Sequence, residues 1–73
     1  MTYNMKYFEE NKVRIGEDGY NAAYDLDGHR IGIMQCDRSH YVHVAVDGET
    51  VATRAKRSNA IRMALQYMNE AFC

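Results

Sequence analysis

The sequence predicts a small α+β domain: a single antiparallel sheet of three to five strands, a meander of hairpins, with one C-terminal α-helix packed on one face. Three observations carry that expectation. Asp27-Gly28 and Asp47-Gly48 each sit between runs of alternating apolar and polar residues, the pattern of hairpins with two-residue turns. Within 58–72, Ile61, Ala64, Leu65, Met68 and Phe72 recur at spacings of three and four, lining one stripe of a helix. The chain contains no proline, so every strand residue can donate to a ladder.

Taken in order, residues 1–15 admit two readings. Tyr3, Met5 and Tyr7 alternate with Thr2, Asn4 and Lys6, which favours a strand, whereas the four-residue spacing of Tyr3 and Tyr7 followed by Glu9 and Glu10 fits a short helix. Val13-Arg14-Ile15 reads as a brief strand and 16–19 (GEDG) as a turn.

The first hairpin follows by counting outward from Asp27-Gly28. Leu26 faces His29, Asp25 faces Arg30, Tyr24 faces Ile31 and Ala22 faces Ile33. Tyr20, Ala22, Tyr24, Leu26, Ile31 and Ile33 then share one face, and Asn21, Ala23, Asp25, Arg30, Gly32 and Met34 the other. A slip of one residue would break the agreement of apolar with apolar and of Asp25 with Arg30.

A polar link, Asp37-Arg38-Ser39, joins this hairpin to the next. Around Asp47-Gly48 the same counting sets Val46 against Glu49, Val44 against Val51 and Val42 against Thr53. Val42, Val44, Val46 and Val51 form the buried side, with Tyr41, His43, Ala45, Thr50, Ala52 and Arg54 opposite. The helix is expected to open near Ser58-Asn59, both good N-caps, and to bury Ile61, Leu65, Met68 and Phe72 on the sheet.

Length and composition bound the function. Seventy-three residues make one small domain, 1–73, with a thin core. At 47% hydrophobic and 26% charged, with no long apolar run and no basic-then-apolar start, the chain reads as soluble and cytoplasmic, without a membrane partner. A net charge of -1 gives no global basic field of the kind a nucleic-acid binder carries. Cys36 and Cys73 are too few for a disulfide scaffold and are expected as reduced thiols.

Catalytic chemistry is not written in the sequence. Cys36, His40 and His43 have a zinc-like C-x3-H-x2-H spacing, yet His40 and His43 lie three apart on a strand and point to opposite faces, where ligands must converge. Cys36 with either histidine lacks a marked orienting group, and no phosphate-cradling glycine pattern occurs. The expectation is a non-enzymatic protein with no cofactor and no metal.

The residues left to carry function are surface ones. Arg54, Lys56 and Arg57, with Arg62 one turn later, place positive charge at a helix N-terminus, where it opposes the macrodipole. Such a knob suits phosphates or an acidic protein surface. Tyr41, counted opposite Arg54, adds an aromatic beside it. Met63 and Tyr67, four apart and off the buried stripe, suggest an adaptable apolar contact. Six tyrosines and five methionines are many for so small a core.

Residues 40–72 (HYVHVAVDGETVATRAKRSNAIRMALQYMNEAF) resemble the second half of a double-stranded-RNA-binding domain, which has two strands around a tight turn and then a helix opened by basic residues. In that resemblance Lys56 and Arg57 correspond to the basic residues that open the family's last helix, while Ser58, Asn59 and Ile61 depart from the family's motif. In size, in its Asp-Gly hairpins and in lacking catalytic residues, the chain also resembles the small inhibitor proteins of phages, anti-CRISPR proteins among them. That likeness implies stoichiometric action on a host protein or nucleoprotein complex by surface contact.

Two functions are therefore carried forward. One is an inhibitor or regulator that occludes a partner's surface through Tyr41, Arg54, Lys56, Arg57, Met63 and Tyr67. The other is a nucleic-acid-binding module using Arg54, Lys56, Arg57 and Arg62 on phosphates. Self-association into a homodimer through the helix-free sheet face is a third expectation.

Overall fold

A computed structural model of the chain describes residues 2–15, 22–35 and 41–72. Five strands run in the order β1 (Val13–Ile15), β2 (Ala22–Leu26), β3 (His29–Gln35), β4 (Val42–Val46) and β5 (Glu49–Arg54), every neighbour antiparallel and the sheet order equal to the chain order. Two helices, α1 (Met5–Asn11) and α2 (Arg57–Phe72), lie on one face.

The β2–β3 hairpin has the register counted from the sequence, Leu26 opposite His29 through Ala22 opposite Ile33. Both Asp-Gly turns place both central residues at positive φ: Asp27 at 54° with Gly28 at 85°, and Asp47 at 53° with Gly48 at 88°. These are the angles a type I′ turn requires. Asp47 also ties the two hairpins together, its N–H donating to the Arg30 carbonyl and its carboxylate accepting from the Arg30 N–H.

The second hairpin corrects the sequence-based count. Val46 faces Glu49 and Ala45 faces Thr50, but a β-bulge then intervenes, so Val44 faces Ala52 rather than Val51 and Val42 faces Arg54 rather than Thr53. Val51 is the extra residue, and both Val51 and Ala52 pack against the core. Beyond the bulge, Thr53 moves opposite His43, and His43 Nδ1 lies 2.8 Å from Thr53 Oγ1. The bulge thus puts two apolar side chains inward in succession and matches polar with polar downstream.

The N-terminal segment is the helix, not the strand that its alternation favours. Asn4 caps α1, accepting from the Tyr7 N–H at 2.8 Å, and the Lys12 N–H closes the other end on the Phe8 carbonyl at 2.9 Å. A helix this short is marginal alone; tertiary contacts hold it. Phe8 is completely buried against Tyr24, edge to face at 5.4 Å. The Asn69 side chain on α2 accepts from the Tyr3 N–H at 2.6 Å and donates to the Tyr3 carbonyl at 2.8 Å.

α2 lies across β4 and β5 and reaches β3. Ala60, Ile61, Ala64, Leu65 and Met68 are buried on Ile31, Ile33, Val42, Val44 and Val46. Two expectations for this helix are corrected. It begins at Arg57, so Ser58 and Asn59 occupy its first turn rather than its cap. Phe72 is 43% exposed: the helix has run past the sheet core by then, and the ring stacks on His29 at 4.0 Å instead. Tyr3 and Phe8 take the large aromatic places in the core.

Candidate functional site

Antiparallel pairing sorts the charges along the sheet. Both hairpin tips lie at one end, carrying Asp25, Asp27, Asp47 and Glu49; β5 then runs to the other end, where Arg54 is followed by Lys56 and Arg57. Glu49 and Arg54 are five positions apart along β5, at most roughly 16 Å at ~3.3 Å per residue. That exceeds the Debye length of ~8 Å at physiological ionic strength. The near-zero net charge therefore conceals an acidic end and a basic end that act independently.

The acidic carboxylates are largely engaged in holding turns. Asp25 accepts from the Gly28 N–H at 3.1 Å, and Asp27 accepts from the Tyr7 hydroxyl at 2.8 and 2.9 Å. That hydrogen bond, with some desolvation and the Asp27 charge, raises the Tyr7 pKa above that of an ordinary tyrosine. Asp47 is partly desolvated, which opposes ionisation, but hydrogen bonds from the Arg30 N–H and His29 and their positive charge outweigh it, and its pKa falls. A cleft of about 430 Å³ opens between these tips, lined by Asp25, Gly28, Arg30, Asp47 and Gly48.

The basic end differs. Among the described residues, none of Arg54, Lys56, Arg57 and Arg62 forms an ion pair, and all four are exposed. Arg54 donates to the Thr53 carbonyl and Arg57 to the Tyr24 hydroxyl at 2.5 Å. Because of the bulge, Tyr41 is not opposite Arg54 but adjoins its partner Val42; it remains at this end of the sheet and is 55% exposed.

The remaining expected site residues are dispersed. Arg62 and Met63 diverge by about 100° around α2. Arg62 lines a groove of about 340 Å³ with Tyr3, Asn4, Met5, Leu65, Gln66 and Asn69. Met63 and Tyr67 occupy the flank away from that groove; Tyr67 packs against the core and meets Phe72 edge to face at 6.1 Å. The structure brings Tyr41, Arg54, Lys56 and Arg57 to one end and leaves Arg62 on one side of α2, Met63 and Tyr67 on the other. Of the metal-ligand types weighed in the sequence, His43 bonds Thr53, while Cys36, His40 and Cys73 lie outside the described residues. The turn at 16–19, Tyr20, Asn21 and the link at 37–39 lie outside them too. Among the described residues no three His, Cys, Asp or Glu side chains are placed to hold a metal ion.

Two cations that sequence reasoning missed join Arg57. Lys12 Nζ lies 5.3 Å, Arg14 Cζ 5.6 Å and Arg57 Cζ 5.9 Å from the centroid of the Tyr24 ring. Arg14 arrives there because it pairs with Tyr24 across β1 and β2. The sequence contains a hint, Lys12 and Arg14 alternating about Val13, but not the register that sets Arg14 beside Tyr24.

Compared with protein-family models, with curated proteins and with solved structures, the chain shows no match. Among the described residues, no helix is long and apolar enough to cross a membrane.

Proposed function

We propose that the chain is a non-enzymatic binding protein, an inhibitor or regulator of the kind phages and mobile elements encode, which occludes a surface of a host protein or nucleoprotein complex. The observation that carries this reading is the basic end. Arg54, Lys56 and Arg57 are exposed and, among the described residues, form no ion pair, at the end of the sheet that also carries the exposed ring of Tyr41. Arginine and tyrosine are residue types enriched in binding hot spots, and separated charge steers a partner into one orientation.

The test is affinity capture from host lysate with quantitative mass spectrometry, comparing the parent with Arg54→Glu/Lys56→Glu and with Glu10→Gln as a surface control. A partner retained by the parent and the control but lost by the charge reversal supports the reading. Identical recoveries from all three refute the choice of surface.

A second reading, a nucleic-acid module, draws on the same unpaired cations, with Arg62 added. Titration against duplex DNA, duplex RNA and single strands at two salt concentrations separates the two. Binding that falls steeply with salt favours the module, and no binding at low salt removes it.

A further inference from the structure

Like charges do not converge without reason, and around Tyr24 three of them do. Lys12 comes from the end of α1, Arg14 from β1 and Arg57 from the start of α2, three separate parts of the chain. Their charged groups lie 5.3, 5.6 and 5.9 Å from one ring centroid. The aromatic face offsets part of the repulsion through cation–π attraction. The only carboxylate ion-paired with any of the three, among the described residues, is Glu9, 2.9 Å from Lys12.

The cluster has a built floor and reachable walls. Tyr24 is 8% exposed and Phe8 fully buried, so the rings form a fixed apolar base, with Lys12 also 5.1 Å from the Phe8 centroid. Arg14 and Arg57 are exposed and Lys12 half-buried. The bond from Arg57 Nη2 to the Tyr24 hydroxyl uses one of the guanidinium's five N–H donors.

We infer that Lys12, Arg14 and Arg57 form a binding site for a compact, multiply charged phosphate group, such as a pyrophosphate or the terminal phosphates of a nucleotide. Two guanidinium forks and an ammonium, each within 6 Å of the centroid of one ring, supply the several donors that a single polyanion with several oxygens takes. A nucleic-acid backbone instead presents its charges along a line and is read by cations arranged in a track. The site shares Arg57 with the basic end but adds Lys12 and Arg14, which the occlusion reading does not use; Arg14→Gln tests the site alone, and Arg54→Glu/Lys56→Glu tests the occlusion reading alone.

The probe is inorganic pyrophosphate, with sodium chloride at matched ionic strength and a twelve-nucleotide oligothymidylate as comparison arms. Thermal melting and isothermal titration read the outcome. At ten times its Kd, pyrophosphate should raise the melting midpoint by roughly 5–10 °C beyond chloride. Arg14→Gln should weaken binding about tenfold. Arg57→Lys, which keeps the charge and loses the fork, should also weaken it. Glu9→Gln, which frees Lys12, should tighten it several-fold, a gain that no loss of folding can imitate. The site is overturned if chloride matches the pyrophosphate shift or if Arg14→Gln binds like the parent. It is equally overturned if the oligonucleotide binds more tightly than pyrophosphate and without regard to Arg14.

Discussion

Phe8→Ala and Phe72→Ala form the sharpest pair of substitutions in this protein. Helical periodicity places Phe72 in the core and gives Phe8 no special part; the structure reverses them. Phe8 is 0% exposed and packs edge to face on Tyr24, whereas Phe72 is 43% exposed and, among the described residues, has His29 and Tyr67 as its aromatic neighbours. Truncating a fully buried phenylalanine costs ~3–5 kcal/mol, with the aromatic pair included in that loss. Removing a half-exposed ring that stacks on one neighbour should cost ~1 kcal/mol.

A domain of this length has a total stability of roughly 4–11 kcal/mol at ~0.05–0.15 kcal/mol per residue. Phe8→Ala should therefore lower the urea midpoint by ~3 M at a slope of ~1 kcal/mol/M, or leave the chain unfolded in buffer. Phe72→Ala should shift it by ~1 M. Urea unfolding followed by circular dichroism measures both. Equal shifts with an unchanged slope, or a larger shift for Phe72→Ala, would show that α1 does not fill the core and would refute the reasoning.

Two further outcomes follow from the same contacts. Asn69→Ala removes both hydrogen bonds to the Tyr3 backbone and should cost ~1–3 kcal/mol; amide hydrogen exchange should quicken in α1 before the sheet, and a uniform change would count against the tether. The pKa of Asp47 is lower in the folded chain than in the unfolded one. Its contribution to stability is thus present above the ordinary carboxylate range and lost as pH falls through the folded value. The stability difference between the parent and Asp47→Asn should shrink on acidification, and a difference constant from neutral pH to strong acid would contradict the bonding to Arg30 and His29.

What the sequence determined by itself was the local frame. Asp27-Gly28 and Asp47-Gly48 need positive φ at successive residues, and few alternatives to a tight hairpin satisfy that. The turn fixed the β2–β3 register, and the Ile61/Ala64/Leu65/Met68 stripe identified the helix that covers the sheet. Those signals are short-range and periodic, so they survive without neighbours.

Tertiary structure decided the rest. The bulge at Val51 was invisible because an unbulged count is equally good locally; only a core wide enough for both Val51 and Ala52 selects the shift, and with it the move of Arg54 away from Tyr41. α1 prevailed over the strand reading because Phe8, Tyr7 and Tyr3 find partners in Tyr24, Asp27 and Asn69, distant in the chain. The meeting of Lys12, Arg14 and Arg57 on one ring depends on that docking as well. Local chemistry sets which elements form; which side chains meet is a property of the packed whole.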